Sequence, residues 1–133
     1  MPRRYAILDD NQRFLETRLD QLRSVLPDLL RERACAAAVI GSVAAGTARD
    51  WSDLDVVVVL RAGLPTRADY RWWDDCVAAR LPEANRGRFP VQPLFIARSA
   101  VLTTEPHLRA ALRTAIVLWD PEEALDDQRT SAA

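Results

Sequence analysis

Ala36-Ala37-Ala38-Val39-Ile40-Gly41-Ser42, followed after ten residues by Asp53-Leu54-Asp55 and then Val56-Val57-Val58-Val59-Leu60, is the stretch whose reading decides the fold. The apolar run 36–40 reads as a short buried strand, so Gly41 and Ser42 fall where the chain must turn into a helix. Glycine lets a backbone approach a phosphate closely. The serine hydroxyl and the amides of a new helix N-terminus then offer donors to phosphate oxygens. Side chains alternate along a strand, so Asp53 and Asp55 point to one side while Leu54 and Val56 point to the other. Two carboxylates on one face suit a hard divalent cation. A strand, a Gly-Ser turn, a helix and an acid-led strand therefore predict a site for a triphosphate with magnesium. The alternative is an ordinary helix start and two polar residues before a strand; spacing, flanking elements and order together weigh against it.

Outward from this centre the elements alternate as helix, strand, helix, strand, helix, strand, helix. Leu15, Leu19, Leu22, Leu26, Leu29 and Arg33 recur at three- and four-residue spacings, the stripe of an amphipathic first helix. Pro27 predicts a kink or restart near residues 24–27. A brief helix is expected over residues 42–48, its alanines and Gly46 leaving little bulk above the sheet. The strand 54–60 ends at Ala62-Gly63-Leu64-Pro65. Thr66 then caps a helix with Tyr70, Trp73, Val77 and Leu81 on one face, closed by Pro82. Asn85-Arg86-Gly87-Arg88 reads as a polar loop. Residues 89–96 read as a third strand, part of it placed at a sheet edge by Pro90 and Pro93. Residues 99–103 suit a short helical turn, 106–114 a clearer helix, and 116–119 a terminal strand or extended segment. The pattern predicts an α/β domain, more strictly α+β, over residues 1–125, with a disordered tail at 126–133.

Composition agrees with one domain. The chain has 133 residues, 49% of them hydrophobic, enough for a single core. Its 18 basic and 19 acidic residues leave a net charge of -1, which argues against direct nucleic-acid binding. Every basic residue is arginine, so neither a catalytic lysine nor a Walker-type phosphate loop is available. No run approaches the ~20 apolar residues that span a bilayer, and nothing after Met1-Pro2-Arg3-Arg4 has signal-peptide length. A cytoplasmic location is expected. Cys35 and Cys76 are too far apart in sequence for a metal-type pair and read as reduced thiols at a strand edge and in a helix. His107, the one histidine, follows Pro106 at a helix start and reads as a surface or capping residue, so zinc is not expected.

The stretch from Gly41-Ser42-Val43-Ala44-Ala45-Gly46 through Thr47-Ala48-Arg49-Asp50-Trp51 to Ser52-Asp53-Leu54-Asp55-Val56 resembles the signature of the minimal nucleotidyltransferases, the small MNT-type members of the DNA polymerase β superfamily. Gly41, Ser42, Ala44, Gly46, Ala48, Arg49, Ser52, Asp53 and Asp55 match it. Ala45 stands where the family usually carries arginine. The resemblance runs over roughly residues 10–122, closing with Pro106-His107-Leu108-Arg109 through Ile116-Val117-Leu118-Trp119, and only 41–56 is specific. It implies the polymerase β-like fold, a small mixed β-sheet flanked by helices. It also implies transfer of a nucleoside monophosphate, AMP from ATP in the first instance, to a hydroxyl with Mg2+. Asp53 and Asp55 would be the catalytic metal ligands, and Gly41, Ser42, Arg49 and Ser52 the nucleotide-binding residues. Arg49 would touch phosphate or brace the loop against a carboxylate, with bracing the preferred reading.

The family usually adds a third carboxylate on the third strand; Gln92 stands at that position. An amide ligates through its oxygen but cannot act as a base. Two readings follow: an active transferase, or a weakened pseudo-nucleotidyltransferase that works by binding protein. Many family members pair as antitoxins with a small helical HEPN-type toxin, so a partner of that kind is expected. A free-standing transferase of the aminoglycoside-modifying kind fits less well, because the chain ends before a substrate-binding helical domain. Trp72, Cys76 and Arg80 form a candidate partner surface, against the plainer reading of core and rim. Trp51 either packs on the loop, or shields the metal site or stacks on a base.

Overall fold

The computed structural model describes residues 2–49, 51–81 and 88–126. Pro82 as a helix stop, loop residues 85–87 and the tail from 127 lie outside the described residues. Helix α1 spans Pro2–Leu30, β1 Ala34–Ile40, α2 Ser42–Ala45 and β2 Leu54–Leu60. Helix α3, Arg67–Trp72, runs through a π-helical turn, Trp73–Val77, into α4, Ala78–Arg80. Strand β3 is Val91–Ile96; a 3-10 turn at Arg98–Leu102, α5 at Pro106–Arg113 and β4 at Ile116–Trp119 complete the order. The strands form one four-stranded sheet in the order β3-β2-β1-β4. Only the β2–β3 pair is parallel; β1 runs antiparallel to both β2 and β4. The result is the mixed α/β architecture the pattern predicts.

Alternation along the strands sorts the core into two layers. Val39, Leu54, Val56, Val58 and Phe95 face α1 and the helical stretch 67–81, together with Leu22, Leu26, Trp73 and Val77. Cys35, Ala36, Ala38, Val57, Val59 and Ile96 face the other way, against Val101, Leu112 and Leu125. Cys35 is the second residue of β1, at the strand's end as the sequence suggests, and is fully buried. Burial raises its thiol pKa above the ordinary range, so it serves as a small apolar residue.

Several boundaries differ from the sequence reading, each for a physical reason. Helix α1 continues through Pro27 without restarting. Pro27 lies in the last turn, where the lost donor frees one carbonyl, and Leu26 and Leu30 on either side are fully buried and hold the helix to the sheet. Leu30 takes the inner position assigned to Leu29. Arg33 falls beyond the helix, where its guanidinium binds Asp69 at 2.8 Å. Asp69 in turn accepts the Thr66 amide at 2.8 Å, closing a capping box at the start of α3. Helix α2 stops at Ala45 because Gly46 adopts a left-handed conformation. The π turn adds a residue to the 67–80 stretch, keeping Trp73, Val77 and Leu81 buried while Tyr70 turns partly outward. Asp126, assigned to the tail, donates its amide to Glu123 and belongs to the ordered turn that seats Leu125.

At the β3 edge, the Phe95 amide points away from β2 and donates to the Tyr70 hydroxyl at 3.2 Å. Pro93, two residues earlier and facing the same way, has no amide to offer.

Candidate active site

Gly41 is the pivot of the site. Its φ of 80° and ψ of -153° belong to a region that residues with a Cβ rarely enter. A Cβ built there would stand 2.8 Å from Asp55 Oδ2. The close approach read from the sequence is thus occupied in the fold by a carboxylate lying against the Gly41 backbone. The two come together because β1 and β2 are antiparallel neighbours, with Ile40 opposite Asp55. After Gly41, the Ala45 amide bonds back to the Gly41 carbonyl and the Thr47 amide to that of Ser42. The amides of Ser42, Val43 and Ala44 open the turn and have no intrahelical acceptor.

Asp53 directly precedes β2 and is exposed; Asp55 is its second residue and half-buried. Burial, and after it the negative charge of Asp53, pushes the Asp55 carboxyl above the ordinary aspartate range. Gln92 on β3 lies in register with Asp55, and alternation puts both side chains on the same face of the sheet. The structure therefore brings Gly41, Asp55 and Gln92 together across three adjacent elements, with Asp53 beside them. Among the described residues no histidine, cysteine or third acid joins the pair to form a metal-type cluster.

The loop between α2 and β2 is tied by a reciprocal pair of bonds. The Arg49 amide donates to Ser52 Oγ at 2.8 Å, and the Ser52 amide donates to the Arg49 carbonyl at 3.0 Å. Ser52, assigned to nucleotide binding, thus holds the turn that presents Asp53. The Arg49 side chain is exposed and forms no ion pair with a described residue, so the bracing carboxylate has no counterpart there. Trp51, in the same turn, is 76% exposed, which removes the packing reading for it.

The other candidates fall away from this site. Trp72 is half-buried, with the Arg33 guanidinium 4.5 Å from its ring centroid, so an intramolecular cation engages it. Cys76 is half-buried in the π turn and Arg80 is exposed in α4. His107 is exposed in the first turn of α5, where Glu105 and not the histidine performs the capping: its carboxylate accepts the His107 and Leu108 amides at 3.0 and 2.7 Å. Sequence reasoning missed the Arg33–Asp69–Thr66 link. The signal was present in Thr66-x-x-Asp69, a capping-box spacing.

Residues 13–83, more than half of the chain, match the family described as "Nucleotidyltransferase domain". No curated protein matches the chain significantly in sequence. A solved structure of a toxin–antitoxin with AMP-PNP superposes with a TM-score of 0.54 at 18% identity, covering 81% of this chain and 81% of that one. A MntA–HpeT toxin–antitoxin mutant, in which two aspartates two positions apart are glutamates, gives 0.53 at 15% identity, with coverage of 81% and 80%. A MntA–HepT structure gives 0.50 at 15% identity, with coverage of 81% and 78%. At such identities the likeness concerns the fold. Among the described residues no helix is long and apolar enough to cross a membrane.

Proposed function

Because this chain belongs to the nucleotidyltransferase domain family, we propose that it transfers AMP from ATP to a hydroxyl acceptor, and that it does so as the antitoxin partner of a HEPN-type toxin. The observation that carries this reading is the Asp55 carboxylate lying against Gly41 with Asp53 beside it, an acid pair at the mouth of a donor-rich turn. The similar structures of toxin–antitoxin pairs, one with AMP-PNP, support the nucleotide and the kind of partner.

The Ser42 hydroxyl and the amides of Ser42, Val43 and Ala44 would hold the β and γ phosphates. Arg49, exposed on the neighbouring turn, would add a charge-assisted contact. Asp53 and Asp55 fit Mg2+: they are oxygen donors, and of the two causes that raise the Asp55 pKa, burial first and the Asp53 charge second, the repulsion is of the kind a cation relieves. Bound there, the ion would supply charge neutralisation and activation of an attacking oxygen. In the transfer, the acceptor oxygen bonds to the α-phosphorus, the bond to the β-phosphate oxygen breaks, and pyrophosphate leaves. Gln92 cannot accept the acceptor proton, which leaves water, a partner group or a carboxylate of the acid pair to take it.

The Gln92–Asp55 register favours a second reading, a transferase weakened to the point of acting by protein binding. Incorporation from α-labelled ATP into a co-expressed toxin partner separates the two, with parent, Gln92→Asp and Asp55→Asn compared. The enzyme reading expects slow labelling by the parent, more by Gln92→Asp and none by Asp55→Asn. Absence of label in all three would leave the binding reading in its place.

A further inference from the structure

Trp51 is 76% exposed although it is the residue type with most apolar surface to lose from water. It is not on a loose loop: the Ser52 amide bonds to the Arg49 carbonyl, and Ser52 Oγ receives the Arg49 amide. The indole is therefore flanked by a hydrogen-bonded pair, Arg49 and Ser52. Among the described residues it takes part in no aromatic pair and no cation–π contact. Two residues later comes Asp53, so the two Cα atoms are at most ~7 Å apart.

The geometry points to Trp51 as the stacking platform for the nucleobase of the bound triphosphate, an inference that rests on the nucleotide reading above. The phosphate donors lie at Gly41-Ser42 and the acid pair at the head of β2. The α-phosphate must sit at the acid pair if it is to react, which leaves the base one sugar away from it. An exposed indole whose Cα lies within ~7 Å of that of Asp53 is on that length scale. Its flat apolar face covers any base, and Arg49 on the same turn serves the phosphates. Because stacking reads the π-face and not the hydrogen-bonding edge, the site should bind ATP and GTP with similar affinity.

Calorimetric titration with Mg-ATP and with Mg-tripolyphosphate tests this, since the second ligand has the phosphates and no base. Trp51→Ala should weaken Mg-ATP by about 5- to 160-fold, the effect of losing one stacked base, and leave Mg-tripolyphosphate unchanged. Trp51→Phe should restore most of the loss. In the parent, Mg-ATP should quench tryptophan fluorescence, and Trp51→Phe should abolish that quench. Unchanged ATP affinity in Trp51→Ala, or an equal loss for both ligands, overturns the stacking role while sparing the nucleotide site. A parent that binds neither ligand overturns the nucleotide reading itself, and this inference with it.

Discussion

Gly41→Ala tests the centre of the site, and its cost follows from the structure. The backbone angles at Gly41 lie in a nearly glycine-only region, where a residue with a Cβ costs about 1–3 kcal/mol. The new methyl would meet Asp55 Oδ2 at 2.8 Å, so the carboxylate must leave its rotamer, at about 0.5–1.5 kcal/mol. Alanine also stiffens the unfolded chain, which offsets ~0.4–1 kcal/mol. The net expectation is ~2–3 kcal/mol, and at the usual unfolding entropy per residue a chain of 133 residues loses about 4 °C of Tm per kcal/mol. Calorimetry should therefore show a fall of roughly 8–12 °C. In an Asp55→Ala background the steric part disappears, and Gly41→Ala should cost ~0.5–1.5 kcal/mol less. A Tm unmoved by Gly41→Ala, or an identical loss in both backgrounds, would refute the placement of the carboxylate over the glycine.

Asp53→Asn combined with Asp55→Asn should abolish magnesium-dependent ATP binding by calorimetry and leave the far-UV circular dichroism unchanged, since Asp53 is exposed and Asp55 only half-buried. Leu26→Ala removes a fully buried side chain from the face of α1 against the sheet, and urea denaturation should show a loss of about 2–5 kcal/mol. Glu105→Gln weakens the cap of α5 and carries a pH signature. The Leu108 and His107 amides hold the Glu105 carboxyl below the ordinary glutamate range, so its contribution is full above that range and is lost as pH falls through the lowered value. The Tm gap between parent and variant should be open at neutral pH and close in acid; a gap that widens in acid would contradict the assignment.

What the sequence disclosed and what it hid divide by range. Strand β2 was legible to its end residues because an unbroken valine run between acids and a Gly-Pro turn leaves few alternatives. The Gly-Ser turn was legible because glycine before a helix start has few uses. Helix boundaries were less so, since tertiary packing decides them: Leu26 and Leu30 carry α1 past Pro27, and Gly46 ends α2 early. The π turn has no local signal, as Tyr70, Trp73, Val77 and Leu81 fit an α-helical stripe equally well. For the site, alternation along β2 sets the face of Asp55, while Asp53 directly precedes the strand. The facing of Gln92 on Asp55 depends on the register of a parallel pair, which forms between residues far apart in sequence.

The blunted outer edge of β3 has a bearing on colloidal behaviour. An edge strand grows into fibrils or captures foreign chains through its outward amides. Here Pro93 never had one, and that of Phe95 is already spent on the Tyr70 hydroxyl. The strand that carries Gln92 can thus sit at the margin of the sheet with its middle a poor template for self-assembly. Any macromolecule arriving beside Pro93 and Phe95 finds no free main-chain donor at those two positions and must use side chains, shape and the outward carbonyls.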